Sequence, residues 1–296
     1  MMSFFSIQAD LELKTSAILG EGPVWDLDEN KLYWVDVLSG RLFVYNPETG
    51  SNTTHEIGEH IGAAVLREKG GLLLALKTGF AFFDPVSGKF EKIADPESHL
   101  PGNRFNDGKC DPAGRFWAGT MSYKVEEGKG SLYCLHPDMR IEQKLTDVTI
   151  SNGLAWNDTG DTFYYIDTLS HHISAFEYDL GTGKIQNRKI IKKINKKEGL
   201  PDGMTIDEEG CLWVALYNGS KVIRVNPENG ETIFQIHVPV PKPTSCTFGG
   251  IGLDEMFITT GRKYMTDEEI AEFPYSGSLF KVKLPFKGKP SKRFVG

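Results

Sequence analysis

The sequence lacks the features of a membrane-spanning or exported protein. Its longest apolar runs, such as Leu72–Leu76, are far too short to cross a bilayer. The first ten residues contain neither a basic segment nor a long apolar run, so they do not resemble a signal peptide. We therefore expect a cytoplasmic protein with no membrane partner.

Cysteine is scarce, and its spacing excludes two kinds of site. The four cysteines are far apart, and none forms the close pair of a metal-binding motif. A disulfide framework is not expected in a chain of 296 residues. We predict reduced thiols in the core: Cys110, Cys134, Cys211 and Cys246.

Positive charge is not in excess. Lys and Arg number 33 against 40 Asp and Glu, which gives a formal net charge of −7. Nucleic acids and anionic membranes bind basic faces, so this balance excludes them as partners. The one basic run, at residues 192–197, is predicted to be a solvated loop or blade edge.

Helical periodicity is absent except over Asp267–Glu272, and the chain instead repeats itself. Each of six repeats contains three strand-like runs, of which the first two are apolar, and several repeats contain a weaker fourth run. The repeats start at residues 22, 63, 108, 153, 203 and 246. A period of about 40–50 residues with four short strands a unit is typical of a β-propeller. The sequence predicts an all-β fold, a six-bladed β-propeller with four-stranded blades, as a single domain over residues 1–296.

The sixth repeat leaves little chain for its outer strand. The run at residues 7–14 has β-character and precedes the first repeat. We predict that it supplies this strand and closes the ring, which would remove an open sheet edge. The alternative is that residues 293–295 do so.

Polar residues stand at the start of the first strand in most repeats. First strands of propeller blades line the central channel, so these positions should converge at one end of it. Three carboxylates and an amide in such a ring favour a hard divalent cation, Ca²⁺, Mg²⁺ or Mn²⁺, and Zn²⁺ is less natural although it accepts carboxylates. The alternative is that the dipeptides ending in Gly are turns between blades. The six positions are Glu21, Gly62, Asp107, Asn152, Asp202 and Ser245.

Motifs along almost the whole chain resemble the regucalcin and gluconolactonase (senescence marker protein) family of sugar-lactone hydrolases. The family's fold is a six-bladed propeller with one divalent cation in the central channel, which agrees with the repeat count. The motifs are LGEGPVW (19–25), RFNDGKCDPAGRFWAGTM (104–121), ISNGL (150–154), YYID (164–167), LPDGM (200–204), LWVALYNG (212–219) and TSCTFGG (244–250).

The resemblance implies roles for six positions of this chain. Metal ligands fall on Glu21, Asn152 and Asp202. Contacts to substrate hydroxyls fall on Arg104 and Asn106, and Asp107 matches an aspartate near the metal that acts through water or substrate. The implied partner is a small sugar lactone, and we expect a monomer or weak homodimer.

A lactone is a cyclic ester, so its hydrolysis needs an activated water and a stabilised oxyanion. Asp202 is the family's implied base, but a carboxylate bound to a cation is a weaker base, so Asp107 remains a rival. Two other functions stay open: a non-catalytic calcium-binding propeller, and a metal-dependent organophosphate or ester hydrolase. Arg104 and Asn106 suit a polyhydroxyl ligand and favour sugar lactones.

The segment at residues 122–130 departs from the family pattern. It is shorter than in animal regucalcins, and a Lys stands near the place of an acidic residue over the pocket. The departure bears on substrate preference and leaves the metal ring intact. Residues 124–129 are predicted to form either a lid over the pocket or a surface loop.

Overall fold

The computed structural model describes residues 5–296. Within this range the chain forms twenty-five β-strands, one α-helix and two short 3₁₀ turns. The first thirteen strands are β1 (Phe5–Gln8), β2 (Asp10–Leu13), β3 (Gly20–Asp26), β4 (Lys31–Asp36), β5 (Arg41–Asn46), β6 (Ser51–Glu56), β7 (Ile61–Leu66), β8 (Leu72–Leu76), β9 (Gly79–Phe83), β10 (Phe90–Ala94), β11 (Asn103–Cys110), β12 (Phe116–Ser122) and β13 (Gly130–Leu135). The remaining strands are β14 (Ile141–Val148), β15 (Ser151–Trp156), β16 (Thr162–Asp167), β17 (His172–Asp179), β18 (Lys184–Lys193), β19 (Leu200–Ile206), β20 (Leu212–Tyr217), β21 (Lys221–Val225), β22 (Thr232–His237), β23 (Pro243–Gly249), β24 (Glu255–Thr260) and β25 (Leu279–Lys283). The 3₁₀ turns are Thr168–Ser170 and Lys196–Glu198, and the helix is α1 (Asp267–Glu272).

These strands form the six blades that the repeats predict. Blades 1 to 4 are the consecutive antiparallel sheets β3–β6, β7–β10, β11–β14 and β15–β18, and blade 5 is β19–β22. Blade 6 contains β23, β24 and β25 and takes β2 as its outer strand, antiparallel to β25. The predicted closure by the N-terminal run is therefore confirmed, and the alternative with residues 293–295 is wrong. The sequence did not predict β1, which adds a parallel fifth strand to β22.

Burial falls from the channel outwards within each blade. The second strands β8, β12 and β20 are almost entirely buried, whereas the fourth strands β6 and β10 are mostly exposed. Blades stack face to face, so inner strands bury both faces and read as continuous apolar runs rather than alternating ones. The apolar side chains form six clusters, one between each pair of neighbouring blades.

The predicted core residues lie in these clusters. Trp34, Trp117, Tyr165 and Trp213 are buried between blades, as expected for aromatic residues on second strands. All four cysteines are buried and unpaired, which confirms the predicted core thiols. The helix predicted over Asp267–Glu272 is present. Among the residues that the structure describes, no helix has the length and apolar character of a membrane span.

After β25 the chain crosses the channel end where the inner strands finish, and it touches all six blades. It makes backbone hydrogen bonds to blades 6, 5, 2 and 3, and ion pairs to blades 4 and 1. We call residues 285–296 the strap. The contacts are Gly288 N to Leu253 O, Glu208 N to Lys287 O, Lys289 to Asp158, Arg293 to Asp26 and Asp28, Phe294 N to Leu66 O, and Val295 N to Gly114 O.

Candidate functional site

A β-bulge lies at the candidate position of every inner strand. Pairing with the second strand shifts register between Glu21 and Val24 in β3, and between Asn152 and Leu154 in β15. The other four inner strands shift at the corresponding place. A bulge leaves a residue unpaired and re-aims side chains, and bulges are frequent next to active sites. The candidate residues therefore lie within strands, and the alternative that they are turns between blades is wrong.

A cavity of about 300 Å³ lies at this end of the channel. Of the six predicted ring positions, it is lined by Glu21, Asn152 and Asp202, which the family resemblance implies as metal ligands. Arg104 and Asn106 line it as well. All five residues are at most 8% exposed, so their polar groups are buried where they meet this cavity.

The other three ring positions do not line the cavity. Gly62 has no side chain, and the close packing of β7 against β11 leaves no room for one. A Cβ on Gly62 would sit 2.5 Å from the backbone carbon of Phe105. Ser245 is buried on β23, and Asp107 is buried with its Oδ1 accepting from the N–H of Gly108 at 2.7 Å. The structure thus brings together only half of the predicted ring around one space.

A chain of hydrogen bonds with a fixed direction connects blades 3 and 4. Arg104 Nη1, which can only donate, reaches Asn106 Oδ1 at 2.8 Å. The amide nitrogen of Asn106 therefore faces the next blade and donates to Ser151 O (2.8 Å) and to Asn152 Oδ1 (3.0 Å). Asn152 Nδ2 in turn donates to Thr168 Oγ1. Arg104 thus determines the orientation of both amides.

Burial and neighbouring carboxylates raise the pKa values of Glu21 and Asp202. Burial raises the pKa of Glu21 well above its usual range, and the charges of Asp202 and Asp107 raise it further. Burial and the charge of Asp107 likewise raise the pKa of Asp202, while Arg104 opposes the shift. Like charges held this close in a dry site are unstable unless protons or a cation neutralise them.

This donor set fits a hard cation. Two buried carboxylates face one cavity with the carbonyl oxygen of Asn152, which has a second lone pair free. Oxygen ligands of this kind suit Ca²⁺, Mg²⁺ or Mn²⁺. Within residues 5–296, no three His, Cys, Asp or Glu side chains are placed to hold a metal ion, and the oxygen that accompanies the two carboxylates at this cavity is that of the Asn152 amide.

Two residues that support the site escaped the sequence analysis. Thr168 accepts from Asn152 and donates to Pro201 O at 2.9 Å, which joins blade 4 to the residue before Asp202. Lys109 is half-buried in the channel, where its Nζ donates to Met204 O at 2.6 Å and its charge opposes the raised pKa of Asp107. In the sequence, Lys109 stands out as a charged residue within a predicted inner strand, whereas nothing distinguishes Thr168.

The loop at residues 122–130 contributes one side chain to the cavity. Val125 lines it, whereas Lys124 is exposed and does not. Hydrogen bonds tie the loop down: Val125 N donates to Ser122 O at 3.0 Å, and Ser122 Oγ donates to Glu126 Oε2 at 2.9 Å. Within this loop, the side chain that lines the cavity is therefore the apolar Val125 and not Lys124.

Comparisons with known proteins identify the family to which the sequence is similar. A family model described as "SMP-30/Gluconolactonase/LRE-like region" matches residues 19–262. A Bacillus subtilis (strain 168) protein, named provisionally as the sugar lactone lactonase YvrE, is 39% identical over 98% of this chain and 99% of its own length. Regucalcin of Gallus gallus is 42% identical over 94% of this chain and 95% of its own length.

A solved structure of a protein named regucalcin has the same fold as this chain. It is the crystal structure of a calcium-binding protein, regucalcin, from Agrobacterium tumefaciens str. C58. It superposes with a TM-score of 0.95 and 27% sequence identity, and it covers 99% of both chains.

Proposed function

The chain belongs to the SMP-30/gluconolactonase/LRE-like family, and from this premise we propose that it hydrolyses sugar lactones with the help of one divalent cation. The observation that carries the proposal is the convergence of Glu21, Asn152, Asp202 and Arg104 on one cavity. The name of the Bacillus subtilis relative refers to sugar lactones and supports this substrate class.

Glu21, Asn152 and Asp202 are the residues that would hold the cation. When bound, such a cation supplies Lewis acidity to an ester carbonyl and lowers the pKa of water. Ca²⁺, Mg²⁺, Mn²⁺ and Zn²⁺ are all candidates. The solved structure named as a calcium-binding protein supports Ca²⁺.

Arg104 and Asn106 position the substrate in this proposal. Arg104 uses Nη1 for its hydrogen bonds to Phe105 O and Asn106 Oδ1, so Nε and Nη2 remain to bind hydroxyls or a developing oxyanion. Both N–H groups of Asn106 are engaged, so this residue contacts a hydroxyl through the second lone pair of Oδ1.

Asp202 is the better placed general base because it lines the cavity, whereas Asp107 does not. It takes a proton from a water whose oxygen attacks the lactone carbonyl carbon. The ring C–O bond then breaks, and the leaving alkoxide takes up the proton to give a hydroxy acid. Burial, and after it the charge of Asp107, raise the pKa of Asp202 against the opposing charge of Arg104, which supports Asp202 as a proton acceptor.

The proposal is tested by gluconolactone turnover before and after exhaustive chelation, with Ca²⁺, Mg²⁺, Mn²⁺ and Zn²⁺ added back one at a time. We expect chelation to abolish turnover and at least one cation to restore it. Glu21→Gln should stay inactive on addition of the cation, whereas the exposed control Glu48→Gln should recover. Turnover that survives chelation would remove the cation from the mechanism.

Two alternatives have distinct outcomes in the same assay. A non-catalytic calcium-binding propeller would bind the cation and turn over no lactone. An organophosphate or other ester hydrolase would act on those esters faster than on gluconolactone. The name of the Agrobacterium structure favours the first alternative over the second, since it refers to calcium binding alone.

A further inference from the structure

The cavity combines a polar floor with an apolar wall. Above the carboxylates, its lining is formed mostly by aliphatic side chains from several blades and from the loop at residues 122–130. Leu169, which is 41% exposed, is the most accessible of them. The aliphatic residues of the wall are Leu19, Met121, Val125, Ile150, Leu169 and Leu200.

Two hydroxyls of the cavity lining, those of Tyr217 and Thr168, have hydrogen-bond partners, whereas the side chain of Asn218 and Lys263 Nζ have none within residues 5–296. The hydroxyl of Tyr217 donates to Lys263 O at 3.1 Å, and Lys263 Nζ lies over the ring of Tyr264 at 4.7 Å. Thr168 is engaged by Asn152 and Pro201. A ligand hydroxyl packed against the aliphatic residues of the wall would lose its hydrogen bonds to water and gain few in return, which costs free energy.

Val125 occupies the wall at a cost in backbone strain. Its φ is +56°, a left-handed conformation that is a genuine outlier for a β-branched residue. Val125 is half-buried against the cavity, while its neighbours Lys124 and Glu126 are exposed. Strained residues of this kind cluster at functional sites. Gly or Asn would adopt this φ more easily, so the strain accompanies an apolar side chain placed at the cavity.

From this wall we infer that the preferred substrate is a lactone with an apolar substituent, alkyl or aryl, on the ring. The inference rests on the proposed lactonase function and moves its preferred substrate from polyhydroxylated sugar lactones to lactones with an apolar group. The lactone ring lies on the floor near Arg104 and Asp202, and the substituent packs against Val125, Leu169 and Tyr264. Binding there removes apolar surface from water on both partners, and Tyr264 is 74% exposed without it.

The reaction needs no additional reactant. Water adds to the carbonyl carbon, the ring C–O bond breaks, and the proton removed from water passes to the alkoxide. The product is a hydroxy acid whose carbon chain carries the apolar group. Its carboxylate is formed at the polar floor, next to Arg104.

The test compares kcat/KM for D-glucono-δ-lactone with kcat/KM for a δ-lactone that carries a linear five-carbon alkyl chain. Both are measured with the activating cation at saturation and corrected for uncatalysed hydrolysis. In the wild type we expect the alkyl lactone to have the higher value. A few methylene contacts in a hydrophobic pocket discriminate by about tenfold or more.

Two variants locate the effect on the wall. Val125→Asn introduces a polar side chain that tolerates the positive φ of this position. Leu169→Asn introduces the same side chain at the most exposed aliphatic residue of the wall. Each should lower the ratio of alkyl lactone to gluconolactone kcat/KM by about tenfold. The matched control Val86→Asn, at a position that is 95% exposed in a distant turn, should leave this ratio unchanged. Circular dichroism and Tm confirm that each variant is folded.

The outcomes separate this inference from the proposed function. Turnover of gluconolactone with little or none of the alkyl lactone overturns the inference and leaves the lactonase function standing. An equal loss for both substrates in Val125→Asn and Leu169→Asn also overturns it. No turnover of either lactone by the wild type refutes both proposals.

Discussion

The hydroxyl of Thr168 donates to Pro201 O at 2.9 Å and accepts from Asn152 Nδ2 at 2.7 Å. Because its one hydrogen is committed to the carbonyl, Thr168 can face only the nitrogen of the amide. The carbonyl oxygen of Asn152 is therefore directed away from Thr168, towards Asn106. Contacts with Asn106 of blade 3 and, through Thr168, with Pro201 of blade 5 thus determine which atom of Asn152 is available to a cation.

Replacing Thr168 should weaken cation binding without removing a ligand. In Thr168→Val the amide of Asn152 loses its partner, and we expect Ca²⁺ affinity to fall by about 10–100-fold, the usual effect of residues that orient metal ligands. Thr168→Ser keeps the hydroxyl and is the control, with affinity near that of the wild type. Isothermal titration calorimetry measures both. Wild-type affinity in Thr168→Val would contradict the orienting role.

Asp202 and Asp107 should differ in their effect on turnover. Loss of a general base costs about 10²–10⁴-fold in rate, so we expect Asp202→Asn to lower kcat by at least about 10²-fold. Asp107→Asn should have a smaller effect because Asp107 does not line the cavity. Steady-state kinetics at saturating cation compares them. The reverse order would transfer the role of base to Asp107.

Glu21→Gln should change stability in opposite directions with and without the cation. In the chelated protein the carboxylates of Glu21 and Asp202 repel one another, so removing one charge should raise Tm. With Ca²⁺ present the wild type gains stability from binding, about 2.7 kcal/mol at a concentration one hundred times Kd, and the variant should gain less. Differential scanning calorimetry in EDTA and in Ca²⁺ gives both values. A chelated variant less stable than the chelated wild type would argue against repulsion at the site.

Asp111 should be essential for stability although it lies far from the cavity. Its side chain is fully buried and accepts from Arg115 Nε at 2.6 Å, Trp117 Nε1 at 2.8 Å and Tyr178 Oη at 2.7 Å. Asp111→Ala leaves a buried guanidinium without its partner, and we expect a loss of about 3–5 kcal/mol in the free energy of unfolding. Urea unfolding measures it.

The control for this prediction is Asp84→Ala. Asp84 accepts only within its own turn, from Val86 N at 2.8 Å, from Ser87 N at 3.4 Å and from Ser87 Oγ at 2.7 Å. Its loss should therefore cost about 1 kcal/mol. Equal destabilisation by the two variants would show that the buried network of Asp111 has no special weight.

The repeat pattern was sufficient to predict the blades, because each blade buries its second strand in the same way and the apolar runs recur. It also placed Glu21, Asn152 and Asp202 around one axis. The bulges, the role of Thr168 and the strain at Val125 could not be predicted. They depend on backbone register and on contacts between blades, which leave no local pattern in composition. The strap was missed for a similar reason, since residues 285–296 contain no periodic apolar run.

The closure of blade 6 determines when the protein can fold. The strand β2 pairs with β25, and Thr15 and Ser278 are hydrogen-bonded across 263 positions of the sequence. During synthesis the partner of β2 does not exist until the last blade has left the ribosome, and the strap follows after it. Contacts of such long sequence separation form slowly, and until then the unpaired strands are exposed to aggregation. The ring is therefore completed only once β25 has been synthesised, and β2 and β25 join the fold together.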